Sequence, residues 1–473
     1  MIGPSGTGPI KGSGESPSPY NRRMIWKFSG RAGAAVGLAI CLMAFQAWGQ
    51  QPPATEQPSA RPVESPAIPQ TAGLPTPAAY PLELFGLLAR PAALRGPLTL
   101  TPSIAVSEEY NDNIFQDNKR REYDFITTFT PSLMLVVNRP SYQASAGYSF
   151  GADIYARESQ FDNALDRQNF VASGLYRAAP GLTLTGSDAF ALNRNTDLTA
   201  LQSSSVGRQE SWSNTVSAGA AWQVTARNDL TLGASYSVLR FLGTGASTNT
   251  GTSGGTSRST GVDSDTYGFQ SSFGHAFTPR LHGTVGYNFT YINLTQNQED
   301  SKTHSPSVGL SYQFTPTLTG AVSGGPAITE AGSKTFISPS GSTSLTQVLQ
   351  FGSVGVQYNR AVSVAGGFGG TNDTQTASAT LTVTTLRPGL VAVFSPAYIE
   401  SSSVDNRQGS TQVDVKTVTL SLGVTYQVAR FTTLFAGYSF LHQRTGSVAA
   451  AQHDVDQNRV RFGLQFGYPI NFD

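Results

Sequence analysis

The sequence predicts an all-β protein: a transmembrane, antiparallel, up-and-down β-barrel of about eighteen strands, with sixteen as the alternative. The first observation is the alternation of apolar and polar residues in segments of about ten to fifteen residues, from residue 100 onward. The second is a low charge content, 13%, against roughly 25% in soluble proteins. The third is that short turns and longer polar loops alternate along the chain.

The last strand-like segment, from Arg459 to Tyr468, illustrates the first observation. Side chains in an extended chain point alternately to opposite faces, so one face of this segment is apolar and the other is polar or bare. The apolar face comprises Val460, Phe462, Leu464, Phe466 and Tyr468, and the opposite face comprises Arg461, Gly463, Gln465 and Gly467. A strand with lipid on one side and an aqueous lumen on the other requires this pattern.

The strand count comes from the connections. Eight short turns are predicted near residues 138–140, 179–181, 226–228, 278–280, 315–317, 358–360, 387–389 and 429–430. Longer polar connections lie between most of them, the longest from about Gly243 to Val262. Sixteen strands remain the alternative because the connection at Asn372-Asp373 is short and the segment 317–328 alternates weakly. Aromatic residues near strand ends, such as Trp212 and Trp222, fit the girdles at a membrane interface.

The N-terminal part has a different composition, which divides the chain into three regions. Residues 1–49 read as a secretory signal, since basic residues precede an apolar run, and Met24 is an alternative start. A membrane-anchoring helix is the other reading of this run. Residues 50–99 form a Pro- and Ala-rich periplasmic linker, with a short helix or a disordered stretch at residues 82–94. Residues 100–473 form the barrel.

Three residues conflict with a regular barrel. Pro131 and Pro396 each remove a backbone donor from a strand, so we expect them at bulges or near membrane edges. Residues an even number apart in a strand point to the same face, which we call sharing parity. Asp188 shares parity with Leu184 and Phe190 and would face lipid, unless a bulge near Gly186 turns it inward.

The start of the barrel carries a recognisable motif. Residues 107–115 read Ser-Glu-Glu-Tyr-Asn-Asp-Asn-Ile-Phe, and Asp124-Phe125-Ile126-Thr127 and Thr130-Pro131-Ser132-Leu133 follow. This opening resembles the β-barrel porin 2 family of bacterial outer-membrane proteins, in which a Tyr-x-Asp-Asn stretch precedes a loop and a strand with a proline. The resemblance implies an outer-membrane barrel from about residue 100 to the C-terminus. It also implies a link of some relatives to exopolysaccharide systems.

The sequence contains no pattern typical of catalysis, so we expect no enzyme, no cofactor and no metal site. The five histidines are scattered, and the single cysteine, Cys41, lies in the predicted signal. Asn111, Asp112, Asn113 and Asp117 could supply oxygen ligands to Ca²⁺, but turn-forming side chains are the favoured reading. A formal net charge of +1 gives no indication of nucleic-acid binding.

Charged side chains inside the lumen are the functional candidates, because such groups set selectivity in channels. Strand parity and position select Asp153, Arg157, Arg194, Arg240 and Arg461. The leading function is a porin-like passive channel for small polar solutes in the outer membrane, with the linker in the periplasm. A plugged barrel that serves polysaccharide or surface-protein export, or envelope structure, is the alternative, and an outer-membrane enzyme is the third. The expected partners are membrane lipid, lipopolysaccharide and the barrel-assembly machinery, and the oligomeric state stays open.

Overall fold

The computed structural model describes residues 97–119, 121–193, 210–242, 262–295, 300–364, 371–384, 387–403, 414–446 and 454–472. The first eighteen strands pair antiparallel in succession along the chain, and the first also pairs with the last two, so the sheet closes on itself. The last two strands both lie along the first strand and together form the eighteenth position of the barrel. The fold is therefore a closed, antiparallel, eighteen-stranded barrel.

The strands are long for a globular protein, with most between thirteen and sixteen residues. In chain order they are β1 (Leu98–Asn111), β2 (Asp124–Asn138), β3 (Tyr142–Tyr155), β4 (Asn163–Ala179), β5 (Leu182–Asn193), β6 (Glu210–Gln223), β7 (Asn228–Leu242), β8 (Ser264–Ala276), β9 (Leu281–Leu294), β10 (Ser301–Thr315), β11 (Leu318–Ala331), β12 (Lys334–Leu349), β13 (Gly352–Val364), β14 (Thr371–Val383), β15 (Leu390–Ser403), β16 (Asp414–Ala429), β17 (Thr432–Gly446), β18 (Val455–Gly467) and β19 (Ile470–Phe472). A short 3-10 helix, Ser159–Phe161, lies between β3 and β4.

The two faces of the sheet differ in polarity as the sequence predicts. Large apolar side chains cover the outer face, where Val308 is 66% exposed and Phe462 is 60% exposed. The inner face carries polar or small residues, such as Thr101, Ser107 and Ser439. An exposed apolar band on a sheet without free edges is the surface that lipid requires, because lipid offers the backbone no hydrogen-bond partner. The barrel is a transmembrane one.

The two ends of the barrel differ in their connections. Short turns join strands at one end, which we call the turn end, and mostly longer connections lie at the other, the loop end. On the outer face near the loop end, polar residues form pairs between neighbouring strands: Arg240 with Asp265, Arg360 with Asp373, and Lys416 with Glu400. These pairs lie where the apolar band ends.

One predicted turn is wrong in position, although the number of turns is right. Tyr358-Asn359-Arg360 lies within β13, and the chain turns at Gln350-Phe351 instead. Asn359-Arg360 has turn-like composition, but Arg360 is held in the sheet by Asp373 of β14 with a 2.6 Å contact. The turn at Gln350-Phe351 has no Pro or Asn, and only Gly352 follows it. Local composition was therefore misleading here.

The prolines do not produce bulges. The β2–β3 pairing is interrupted at Pro131 and the β14–β15 pairing at Pro396, and both registers continue unchanged beyond the gap. Both prolines lie near the middle of their strands rather than at membrane edges. Register shifts occur at four other places, of which three lie next to short turns and one at Gly151/Ala152. Each proline lacks a backbone N–H, and the sheet accommodates this with a short interruption of strand pairing rather than a shift of register.

No bulge occurs near Gly186 either. The β4–β5 and β5–β6 registers run without a shift through this position, so Asp188 points outward, as the uninterrupted parity predicts. The predicted signal, the linker up to residue 96 and the short helix at residues 82–94 lie outside the described residues, and Leu98 and Thr99 at the predicted end of the linker belong to β1. Among the described residues, no helix has the length and apolarity needed to cross a membrane.

Candidate functional site: the lumen wall at the barrel seam

Five charged side chains meet on the inner wall where the first and last strands join. They are Glu109 on β1, Asp153 on β3, Arg167 on β4, and Arg459 and Arg461 on β18, and we call them the lumen cluster. Three arginines against two carboxylates leave one net positive charge. Cross-strand pairing brings them together, because β1 lies between β18 and β2 in the closed sheet.

The strongest pair of the lumen cluster joins β1 to β18. Arg459 donates from Nε and Nη2 to the two oxygens of Glu109, at 2.8 and 2.9 Å. Such a two-point contact fixes both side chains in direction as well as distance. Arg461 donates from Nε to the Ser107 hydroxyl at 2.9 Å and lies near enough to act on Glu109 electrostatically. All of these side chains are buried, so their charges are weakly screened.

A second pair lies on the neighbouring strands. Asp153 accepts from Arg167 Nη2 at 3.0 Å and from the Thr128 hydroxyl at 2.7 Å. The Arg167 side chain lies across Gly151, where a Cβ atom would stand 2.6 Å from Arg167 Nε. Gly151 is therefore needed for this close approach. The two pairs also interact with each other, because the positive charge of Arg167 attracts the Glu109 carboxylate.

The Tyr-Asn-Asp-Asn motif lies at the loop end of the same seam, and we call its contacts with β18 the seam clasp. Asn113 is fully buried and donates from Nδ2 to the Asp456 carbonyl at 2.9 Å. Gln457 Nε2 donates to Asn111 Oδ1, and the Asn458 amide donates to Asp112 Oδ1. The oxygens weighed for Ca²⁺ thus accept hydrogen bonds from the chain itself. The motif fastens the first strand to the last.

The opposite wall has a different character. β10 to β12 lie halfway around the barrel from β1 to β3, and their inner faces carry mainly small side chains. These are Ser307, Gly309, Ser311, Ala321, Ser323, Gly325, Ser338, Ser340, Ser342 and Ser344. Ser323 and Ser342 are joined by a 2.8 Å hydrogen bond between their hydroxyls. A charged wall therefore faces a smooth hydroxyl-rich wall.

The lumen is more closely packed toward the loop end. Inward side chains there, such as Ser301, Asn372 and Gln443, are 0–1% exposed. Inward residues near the middle of the strands, such as Val171 at 41%, remain accessible. Free space inside the barrel thus increases away from the loop end.

Positive charge is concentrated at the turn end. Exposed arginines lie in or beside six of the short turns: Arg139, Arg177, Arg227, Arg280, Arg387 and Arg430. We call them the arginine ring. Arg387 lies over the Tyr426 ring at 4.8 Å and Arg430 over the Phe431 ring at 5.0 Å. Among the described residues of this end, Asp229 is the one acid, and it pairs with His282 at 2.8 Å.

The sequence-predicted candidates fall in different places. Asp153 and Arg461 face the lumen and belong to the lumen cluster. Arg157 lies beyond the end of β3, where its guanidinium stacks on Tyr123 at 4.3 Å, so strand parity does not apply to it. Arg240 points outward and binds Asp265 at 2.5 Å, because it shares the parity of the lipid-facing residues of β7. Arg194 lies outside the described residues.

Three members of the lumen cluster were missed from the sequence: Glu109, Arg167 and Arg459. Parity was a usable signal for Arg459, which lies two residues before Arg461 and so shares its face. Glu109 likewise shares parity with Ser107. The pairing itself had no local signal. Among the described residues, no three His, Cys, Asp or Glu side chains come together as metal ligands.

Several solved structures resemble this fold. OpdQ from Pseudomonas aeruginosa is 11% identical, with a TM-score of 0.43 over 79% of this chain and 99% of that one. OccAB4 from Acinetobacter baumannii is 10% identical, with a TM-score of 0.40 over 80% and 99%. The siderophore receptor PirA from P. aeruginosa is 10% identical, with a TM-score of 0.38 over 78% and 80%. Identities this low describe a likeness of fold and nothing more.

No family model matches the chain. No curated protein matches it either. The resemblance of the Tyr-Asn-Asp-Asn motif to the porin 2 family, with the exopolysaccharide link that it implies, therefore stays a prediction.

Proposed function

We propose that the protein is an outer-membrane channel through which small polar solutes diffuse passively. The observation that carries this proposal is the lumen itself, a closed interior lined by hydroxyl, amide and glycine positions with the lumen cluster on one wall. In bacterial barrels the short turns face the periplasm and the long loops face outside. The turn end is accordingly assigned to the periplasm and the loop end to the cell exterior.

The charge distribution supports a preference for anionic solutes. The lumen cluster carries one net positive charge at low dielectric, where charges act strongly over short distances. The arginine ring adds positive charge at the periplasmic mouth, with Asp229 as the described acid nearby. A solute that carries a carboxylate or phosphate meets favourable potential at both places.

A second candidate is a closed barrel that serves polysaccharide or surface-protein export, or envelope structure. The observation that favours it is the burial of inward side chains near the loop end, including Asn113 and Gln443 at 0% exposure. A barrel packed across its outer mouth would not conduct. The two candidates therefore differ in one measurable property.

The test is single-channel conductance of the refolded chain in a planar bilayer. We expect discrete conductance steps, with a zero-current potential under a salt gradient that indicates anion preference. Arg461→Gln removes a lumen charge and should shift this potential toward cations. Arg157→Gln is the matched control, because Arg157 lies over the ring of Tyr123, which packs against the outward-facing Tyr110 and Phe125. A folded, inserted barrel without conductance would reject the channel and favour the closed barrel.

An outer-membrane location also implies particular partners. The polar pairs near the loop end lie at the level of lipopolysaccharide head groups, and the aromatic outer face of β18 fits a recognition signal for the barrel-assembly machinery. Depletion of that machinery should leave the chain soluble in the periplasm or degraded. Unchanged insertion into the outer membrane after depletion would contradict this part of the proposal.

A further inference from the structure

Asp188 occupies an unusual position on the outer face of the barrel. Its neighbours across the sheet are Ala172 on β4 and Val216 on β6, and all three share the face of the lipid-exposed residues. Asp188 lies six residues from Leu182, where β5 begins at the turn end. At about 3.3 Å per residue and a tilt of about 40°, the carboxylate stands roughly 15 Å above that end. This is the middle of an apolar band about 25 Å tall.

The other outward Asp, Glu, Lys and Arg side chains described on the strands lie closer to the loop end. The lowest of them, Arg360, lies eight residues from the start of β13, and Asp373 neutralises it. Asp188 has no cation beside it among the described residues. Its polar contact there is the Asn214 amide, which donates from Nδ2 to Asp188 Oδ1 at 2.6 Å.

This arrangement is costly if lipid covers it. Acyl chains offer no hydrogen-bond donor, and ionisable groups at mid-membrane height are stable mainly where protein or water surrounds them. Asn214 supplies one donor, and Asp188 Oδ2 has no partner within the described part of the chain. The second N–H of Asn214 likewise has no acceptor within the described residues. A donor and an acceptor therefore lie side by side on the outer surface.

Small residues surround Asp188 on the outer face, so another protein backbone can approach it closely. Outward positions of β3 to β7 at this height carry small residues, which we call the small-residue face: Ala144, Ala146, Ala172, Gly174, Gly186, Ala218, Ala220 and Ala234. Aromatic side chains surround it: Tyr142, Tyr148, Tyr176, Phe190, Trp212, Trp222 and Tyr236. Large side chains stand on the outer face at mid-height of β8 and β10, as at Phe269 and Val308. Small residues at a membrane interface let two backbones approach and pack.

We propose that the small-residue face is the contact surface between two copies of this chain in the membrane, with Asp188 and Asn214 at its centre. A two-fold interface places one patch against itself, so the patch must be self-complementary. This patch meets that condition, because Asn214 can donate to the partner's carboxylate while Asp188 accepts from the partner's amide. Together with the surrounding aromatic side chains, the patch spans five strands about 4.8 Å apart and about ten residues along each, which gives roughly 800 Å², the area that a standard interface buries on each partner.

The proposal is tested by thiol cross-linking in intact outer membranes. The chain has a single cysteine, Cys41, which is replaced by serine in the parent. Ala172→Cys and Ala218→Cys place a thiol on either side of Asp188. Ala379→Cys is the matched control, since it is an outward alanine on β14, nine strands away around the barrel. Oxidation and a short bismaleimide are applied in parallel, so that thiol geometry alone does not decide the result.

We expect a covalent dimer from Ala172→Cys and Ala218→Cys and none from Ala379→Cys at equal abundance. Adding Asp188→Leu should reduce the dimer at least fivefold, whereas Asp188→Asn, which keeps the hydrogen bonding, should retain most of it. Heat-modifiable mobility verifies that each variant is folded. Cross-linking at Ala172 and Ala218 no stronger than at Ala379, in folded protein, would overturn the proposal. An undiminished dimer with Asp188→Leu would remove Asp188 from the interface.

Discussion

The seam clasp offers the sharpest test of how this barrel is held closed. Asn113→Ala removes the hydrogen bond from Nδ2 to the Asp456 carbonyl, at 2.9 Å, and the one that Oδ1 accepts from the Asp117 amide, at 3.0 Å. The side chain is fully buried, so water cannot replace the lost partners without rearrangement. At about 1 kcal/mol for each hydrogen bond, with an added cost for buried groups left unpaired, we expect a loss of about 2 to 3 kcal/mol.

The measurement is equilibrium unfolding in urea of the barrel folded into lipid vesicles. Trp212 and Trp222 on β6 report the unfolding by fluorescence, and they lie far from the seam. Asn138→Ala is the control, since Asn138 is exposed at the turn end and keeps its backbone bond to Pro97. We expect the control to change the free energy of unfolding by less than about 0.5 kcal/mol. Equal midpoints for the two variants would refute the clasp.

Three further predictions concern the lumen and its mouths. Glu109→Ala should be strongly destabilising, by about 3 to 5 kcal/mol, and Arg459→Met in the same chain should restore much of the loss, as a double-mutant cycle in urea would measure. Gly151→Ala should displace Arg167 and change single-channel conductance, whereas Gly355→Ala, whose added Cβ would lie 4.0 Å from its nearest side-chain atom, should leave conductance unchanged. Replacing the arginine ring with glutamine should reduce the difference in current between the two voltage polarities for oriented channels, and an unchanged ratio would contradict its role in attracting anions.

Strand parity predicted much of the lumen. A period of two residues assigns each side chain to one face wherever the register is continuous, and Asp153 and Arg461 lie inside as that rule requires. The rule failed for Arg157 because β3 ends at Tyr155, and a residue beyond a strand has no fixed face. For Arg240 the position near the strand end was right, but its own parity, shared with Leu232, turns it to the outer face.

The sequence by itself determined the fold class and the polarity of the two faces, and it favoured eighteen strands over sixteen, because all three follow from local alternation and from turn residues. Only the tertiary structure decided which strands close the barrel and which charges then meet. Glu109 and Arg459 are 350 residues apart, and their ion pair exists because the first and last strands are neighbours. The position of the β12–β13 turn was likewise decided by pairing with neighbouring strands, and so was the absence of a bulge near Gly186, which leaves Asp188 outward as its parity predicts. Periodicity is a property of each strand alone, whereas pairing and register depend on the whole closed sheet.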